Sequence, residues 1–162
     1  EALELIAASS EGSFRDAEAL LDQAATAGEG EISREAIQGL LGRAGFRTIV
    51  KIAESILKVN LPETLENINE VNESGINLAE FTRDLLIHFR RLALLARHPG
   101  MKTLLSGEMT DENLKETERQ AGLFQDKHIG LMKSLIGAYE NMRYSQFPII
   151  PLEVAVIEEM GR

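Results

Sequence analysis

The chain is predicted to be all-α, a small helical unit followed by a larger helical bundle, and three observations carry that prediction. Apolar residues recur three and four apart along most of its 162 residues, the period of an amphipathic helix rather than of a strand. Leu, Ala, Glu and Ile are abundant, whereas aromatic residues make up 5%, Trp is absent and Pro occurs four times, a composition that favours helix over sheet. Capping residues and Gly or Pro stops then cut the periodic runs into separate helices. The glycines at Gly39, Gly42 and Gly45 mark a helix end and a joint, which divides the chain into 1–44 and 45–162. Their spacing is no phosphate loop, because no strand precedes them and no G-x-x-x-x-G-K-[ST] follows.

In the first unit, the opening EALELIAASS has helical spacing through Leu3, Ile6 and Ala7. It starts in mid-pattern with Glu rather than Met, as expected of a piece of a longer protein. Gly12 and Ser13 interrupt the run. Ser13 is the N-cap of a second helix, with Asp16 three residues on in the place of the usual Glu or Gln of a capping box. Phe14, Ala17, Leu20, Leu21 and Ala24 form its apolar face. Arg15 breaks the pattern: the dipole of the first turn disfavours a cation, so its guanidinium is expected to reach outward to a carboxylate or a phosphate. Gly28 and Gly30 end this helix. Ser33 starts a third, with Ile37, Leu40 and Leu41 on its apolar side.

The larger unit opens with a helix carrying Ile49, Val50, Ile52, Ala53, Ile56 and Leu57, to about Val59. Asn60-Leu61-Pro62 restarts the chain, since Pro is tolerated in a first turn, and Leu65, Ile68 and Val71 follow before Ser74-Gly75. Asn77, with Glu80 at the third position, caps the most amphipathic helix, whose face runs Leu78, Phe81, Leu85, Phe89, Leu92 and Leu95 or Ala96 to His98-Pro99-Gly100. After a linker with one short turn, Thr110 or Asp111 starts what reads as one long helix to about Arg143, through Leu114, Ala121, Phe124, His128, Leu131, Leu135, Tyr139 and Met142. Its acidic first half is expected to project from the core. Phe147–Pro151 reads as a turn and Leu152 to Met160 as a last helix.

Charge and chemistry exclude several functions. A net charge of −9 argues against gripping a nucleic-acid backbone. The densest basic cluster, Arg90, Arg91, Arg97 and Lys102, is expected to be solvated or paired within the chain. No run is long and apolar enough for a bilayer, no signal-peptide pattern occurs, and the absence of Cys fits a cytoplasmic protein. Glu116, Glu118, Glu158 and Glu159 read as solvated faces rather than an acid/base pair. His88, His98 and His128 show no metal-ligand spacing, and His88 and His128 are expected to be core histidines satisfied by hydrogen bonds. With no Cys nucleophile and no Ser in a Gly-x-Ser-x-Gly turn, no catalysis by this chain alone is expected. Met132, Met142 and Met160 read as core fillers. Phe89, Leu94, Leu95, Phe124, Ile129 and Ile136 spread over more than one helix face, as an exposed protein–protein interface would require.

At Gly12-Ser13-Phe14-Arg15-Asp16-Ala17-Glu18-Ala19-Leu20-Leu21-Asp22-Gln23 the chain resembles the tau/gamma subunits of the bacterial DNA polymerase III clamp loader, AAA+ ATPases in which such a stretch opens the sensor-2 helix of the lid. Phe14 and Glu18 depart from the apolar residues usual there, which touches packing and leaves Arg15 in place. The resemblance continues through Gly75 to Phe81, through Arg90 or Arg91 in LIHFRRLALL, and through Pro151-Leu152-Glu153-Val154-Ala155-Val156-Ile157, which match in order the features of the collar that follows the lid. It implies an incomplete lid in 1–44, with Arg15 as a nucleotide sensor supported by Gly12, Ser13 and Asp16, and an oligomerisation collar in 45–162. It implies partners in itself and other loader subunits, contact with DNA and the sliding clamp only through the whole complex, no membrane, and a bacterial cytoplasmic location. ATP and Mg belong to the ATPase domain of the full-length protein, which this sequence lacks, so no cofactor and no metal are expected here. A different class of function remains open at this stage, a helical adaptor that binds a partner helix in a groove and has no link to an ATPase.

Overall fold

A computed structural model describes residues 2–10, 13–27, 32–33, 36–37, 40 and 44–161. Two compact units divide the chain, Glu1–Gly45 and Phe46–Arg162. Among the described residues there are nine α-helices and no strand, so the all-α expectation holds.

The first unit holds α1 (Ala2–Ser9), α2 (Phe14–Ala27) and a third helical segment at Ala36, Ile37 and Leu40. Ser33 caps that segment as expected, its Oγ accepting the Ala36 amide at 3.1 Å and its carbonyl the Ile37 amide at 3.3 Å. Ile6, Ala24 and Ile37 make the core, with Ala2, Leu5, Ala17, Leu20 and Ile32 packed against it. Two expectations are corrected here. Leu3 is exposed, and Phe14, placed on the buried face of α2, is 88% exposed, with Leu21 also at the surface. Ala17, Leu20 and Ala24 lie within about 60° of one another around the helix, and Phe14 and Leu21 lie outside that arc. Neighbours as slight as α1 and the third segment cover only the narrow arc.

The second unit contains α3 (Phe46–Leu57), α4 (Leu61–Glu73), α5 (Leu78–Arg97), a 3-10 turn at Pro99–Met101, α6 (Lys102–Leu105), α7 (Asp111–Ala121), α8 (Lys127–Met142) and α9 (Ile149–Met160). α5 is central, packing on α3, α7 and α8, while α9 closes against α8 and α4. Its cap is the expected one, Asn77 Oδ1 accepting the Ala79 and Glu80 amides at 3.0 and 3.1 Å. Phe81, Leu85, Phe89 and Leu92 are fully buried on its inner face. Between α3 and α4 the Val59 amide reaches the Ile56 carbonyl and the Asn60 amide the Ser55 carbonyl, the two bonds of a Schellman ending. The residue in the left-handed position is Val59, at φ 58°, where a glycine is usual and a β-branched side chain is strained.

The single helix expected over 110–143 is two. Gly122 ends α7, and the Leu123 and Phe124 amides turn back to the Gln120 and Ala121 carbonyls. The Gln125 amide, which a continuous helix would give to a carbonyl, is taken by the ring Nδ1 of His128 at 2.8 Å. The acidic first half does not project: α7 buries Leu114, Thr117, Gln120 and Ala121 against its neighbours. A last correction concerns α9, which begins at Ile149 rather than Leu152. Pro151 is held in its first turn, where no amide hydrogen is needed.

Candidate functional site

Arg15 lies in the first turn of α2, two residues after Ser13, and its side chain is exposed. The Ser13 carbonyl accepts the Ala17 amide at 3.1 Å, which sets the first turn of that helix. Asp22 and Thr26 follow Arg15 at seven and eleven residues, within about 20° of it around the helix, so the three share one side. Asp22, Gln23, Thr26 and Leu40 line a shallow open groove there. Gly12 and the side chain of Asp16, both expected to support the motif, lie outside the described residues, as do Gly28, Gly30, Gly39 and Gly42.

In the bundle, the expected surplus of apolar surface is present but distributed differently. Phe89 and Leu95 are buried in the core, while Leu94 and Phe124 are half-buried. Ile129 and Ile136 are 41% and 45% exposed on α8, and a row that the sequence reading missed, Ile150, Val154 and Ile157 at 49%, 46% and 46%, runs along α9. The signal for that row was present in the four-then-three spacing of its residues. Pro148 and Pro151 mask it, because they make Phe147–Pro151 read as a turn.

The basic cluster is largely neutralised inside the chain, with Arg91 on Glu108, Arg97 on Asp126 and Lys102 on Glu118. Arg119 bridges Glu116 on its own helix and Glu54 on α3, and the latter also takes Lys58. Hydrogen bonds from Arg119 and then Lys58 hold the Glu54 carboxyl down at about 2. Such contacts tie parts of the bundle together and take up the charge of Arg91, Arg97, Lys102 and Arg119.

Neither buried histidine is fully satisfied. The amide nitrogen of Gln120 donates to the Val50 carbonyl at 2.9 Å, so its Oε1 faces His88 Nε2 at 2.7 Å as an acceptor, and Nε2 carries the proton. His88 Nδ1 and, in the second case, His128 Nε2 have no partner. Burial pushes the pKa of both rings down. A neutral imidazole in each place is a packing and hydrogen-bonding group. Among the described residues no group of three His, Asp or Glu side chains could hold a metal, and no helix is long and apolar enough to cross a membrane.

An all-helical chain in two units, with an exposed arginine opening a helix of the small unit and bare apolar rows on the large one, has the form of an assembly module. The chain belongs to the family described as DNA polymerase III subunits gamma and tau domain III, which matches residues 32–160. Residues 1–30 match the ATPase lid domain of the DNA polymerase III clamp loader subunit. Similar proteins are the DNA polymerase III subunits tau of Bacillus subtilis (strain 168), 29% identical over 159 residues, and of Escherichia coli (strain K12), 32% identical over 99 residues. The first alignment covers 96% of this chain and 27% of that protein, the second 61% and 15%, so the chain spans only about a quarter or less of the relatives' length. These matches lend nothing to the adaptor reading. Sequence family and packing divide the chain at different places: Ile37 falls within the domain III match and yet packs in the core of the first unit.

Proposed function

We propose that this chain is the end of the lid and the collar of a clamp-loader subunit, with Glu1–Gly45 serving as the partial lid and Phe46–Arg162 as the collar. The collar holds loader subunits to one another, copies of itself included, in a bacterial cytoplasmic complex that loads a sliding clamp onto primed DNA. The observation that carries this reading is the order of the two family matches along one chain, lid over 1–30 and gamma/tau domain III over 32–160. The fragment itself catalyses nothing in this reading; ATP and Mg are bound by another part of the parent protein. An exposed guanidinium at the start of α2 suits a phosphate, and Arg15 would bind and report the nucleotide there. Through Arg15, nucleotide binding would bias the arrangement of subunits that the collar joins.

The test of the sensor role uses the parent protein. Arg15→Ala should leave folding and assembly of the complex unchanged, because the side chain is exposed, while lowering ATP-dependent clamp loading at least tenfold. Loading at the normal rate would remove Arg15 from the nucleotide site.

A further inference from the structure

The two bare apolar rows of the bundle lie on opposite flanks of one helical hairpin. Glu159 on α9 bonds Ser134 on α8 at 2.9 Å, and it sits so close over Gly130 that a side chain there would meet its Oε2 at 2.7 Å. That contact fixes which sides of α8 and α9 face each other. Around α8, Ile129 and Ile136 lie about 100–160° from Gly130 and Ser134; around α9, Ile150, Val154 and Ile157 lie about 140–180° from Glu159. Each row therefore points away from the partner helix.

The rows also match in length and differ in charge. Ile129, Met132 and Ile136 span eight residues on α8 with steps of three and four, and Ile150, Val154 and Ile157 span eight on α9 with the same steps reversed. Each is about 10 Å long. Lys133 and Arg143 rim the α8 row, with one anion, Glu140, between them, whereas Glu153 and Glu158 rim the α9 row. No ion pair among the described residues uses Lys133, Arg143, Glu153 or Glu158, so among those residues the rims carry opposite net charge without a pairing partner. Pairing either row with its own copy would bring like charges together, which opposes association.

We infer that the α8 row of one copy of this chain seats against the α9 row of the next, with Lys133 facing Glu153. This rests on the assembly reading above and names its two surfaces. Because the surfaces differ and lie on opposite flanks, the contact is heterologous: a growing assembly keeps one free α8 row at one end and one free α9 row at the other, and association continues until a ring closes. A helix-on-helix seam is small beside a standard interface, so assembly rises with concentration.

The test is molar mass by sedimentation, for the whole chain and for Ile136→Asp and Val154→Asp, both at exposed positions, with helix content checked by circular dichroism. Each variant alone should raise the midpoint of association at least tenfold. An equal mixture should recover dimers and nothing larger, because one intact α8 row then meets one intact α9 row. Lys133→Glu should weaken association and the added Glu153→Lys restore it. A wild-type multimer that neither Asp variant disturbs would overturn this surface and leave the assembly reading standing. A wild-type chain that stays monomeric at every concentration would overturn both.

Discussion

In Glu1–Gly45 the apolar cluster is Ile6, Ala24 and Ile37 among the described residues, while Phe46–Arg162 closes over two phenylalanines and a set of buried Leu and Ile from all seven of its helices. Stability grows with the apolar area removed from water, so the bundle should fold on its own terms and the small unit should be marginal. The difference fits the division of labour proposed here. A unit that holds subunits together needs a rigid frame, whereas one that reports a nucleotide is drawn from the weaker end of the molecule.

The largest expected effect separates the two units. Phe89→Ala should destabilise the bundle by about 3–5 kcal/mol in urea unfolding, and Ile6→Ala should leave the bundle's midpoint where it is while loosening amide protection in α1 and α2. A bundle midpoint that moves with Ile6 would mean that the units share one folding transition.

Next in size is the relay inside the bundle. Gln120→Ala would strip His88 Nε2 of its partner, remove the added bond on the Val50 carbonyl and leave a void, a loss of about 2–4 kcal/mol. The same relay gives the bundle a pH dependence. Burial depresses the pKa of His88 and His128, so the unfolded chain binds more protons, and stability should fall as pH drops through about 6.5 toward the lower folded values. His88→Gln should flatten that slope, with His128 carrying the remainder; an unchanged slope would contradict the burial of a neutral His88. Glu54 adds a separate loss as pH falls from 4.5 toward about 2.

The smallest effect is a gain. Val59→Gly should stabilise the bundle by about 0.5–1 kcal/mol, since it relieves a strained left-handed residue at the cost of added chain entropy.

Much of this was legible in the sequence where local chemistry decides. Asn60, Asn77 and Ser33 cap their helices as their side chains require, and the α5 face is read correctly from Leu78 to Leu92. The break after Ala121 was not legible, because apolar spacing from Leu114 to Met142 continues through it. Gly122 was the local sign, and the acceptor that captures the Gln125 amide is a ring three residues further on, placed by tertiary packing. Buried polar pairs such as Ser55 with Thr64, at 2.9 Å, and His88 with Gln120 depend on which helices meet, which periodicity does not encode. Arg15 was picked out by its unfavourable place in a first turn. The α9 row was hidden by prolines, which read as a turn although a first turn accepts them.

The central claim, that the larger unit joins copies of this chain, is tested most directly by light scattering on a sizing column across a wide range of concentrations. A molar mass that climbs from monomer toward a closed multimer as concentration rises would agree with it. A mass fixed at the monomer value throughout would contradict it.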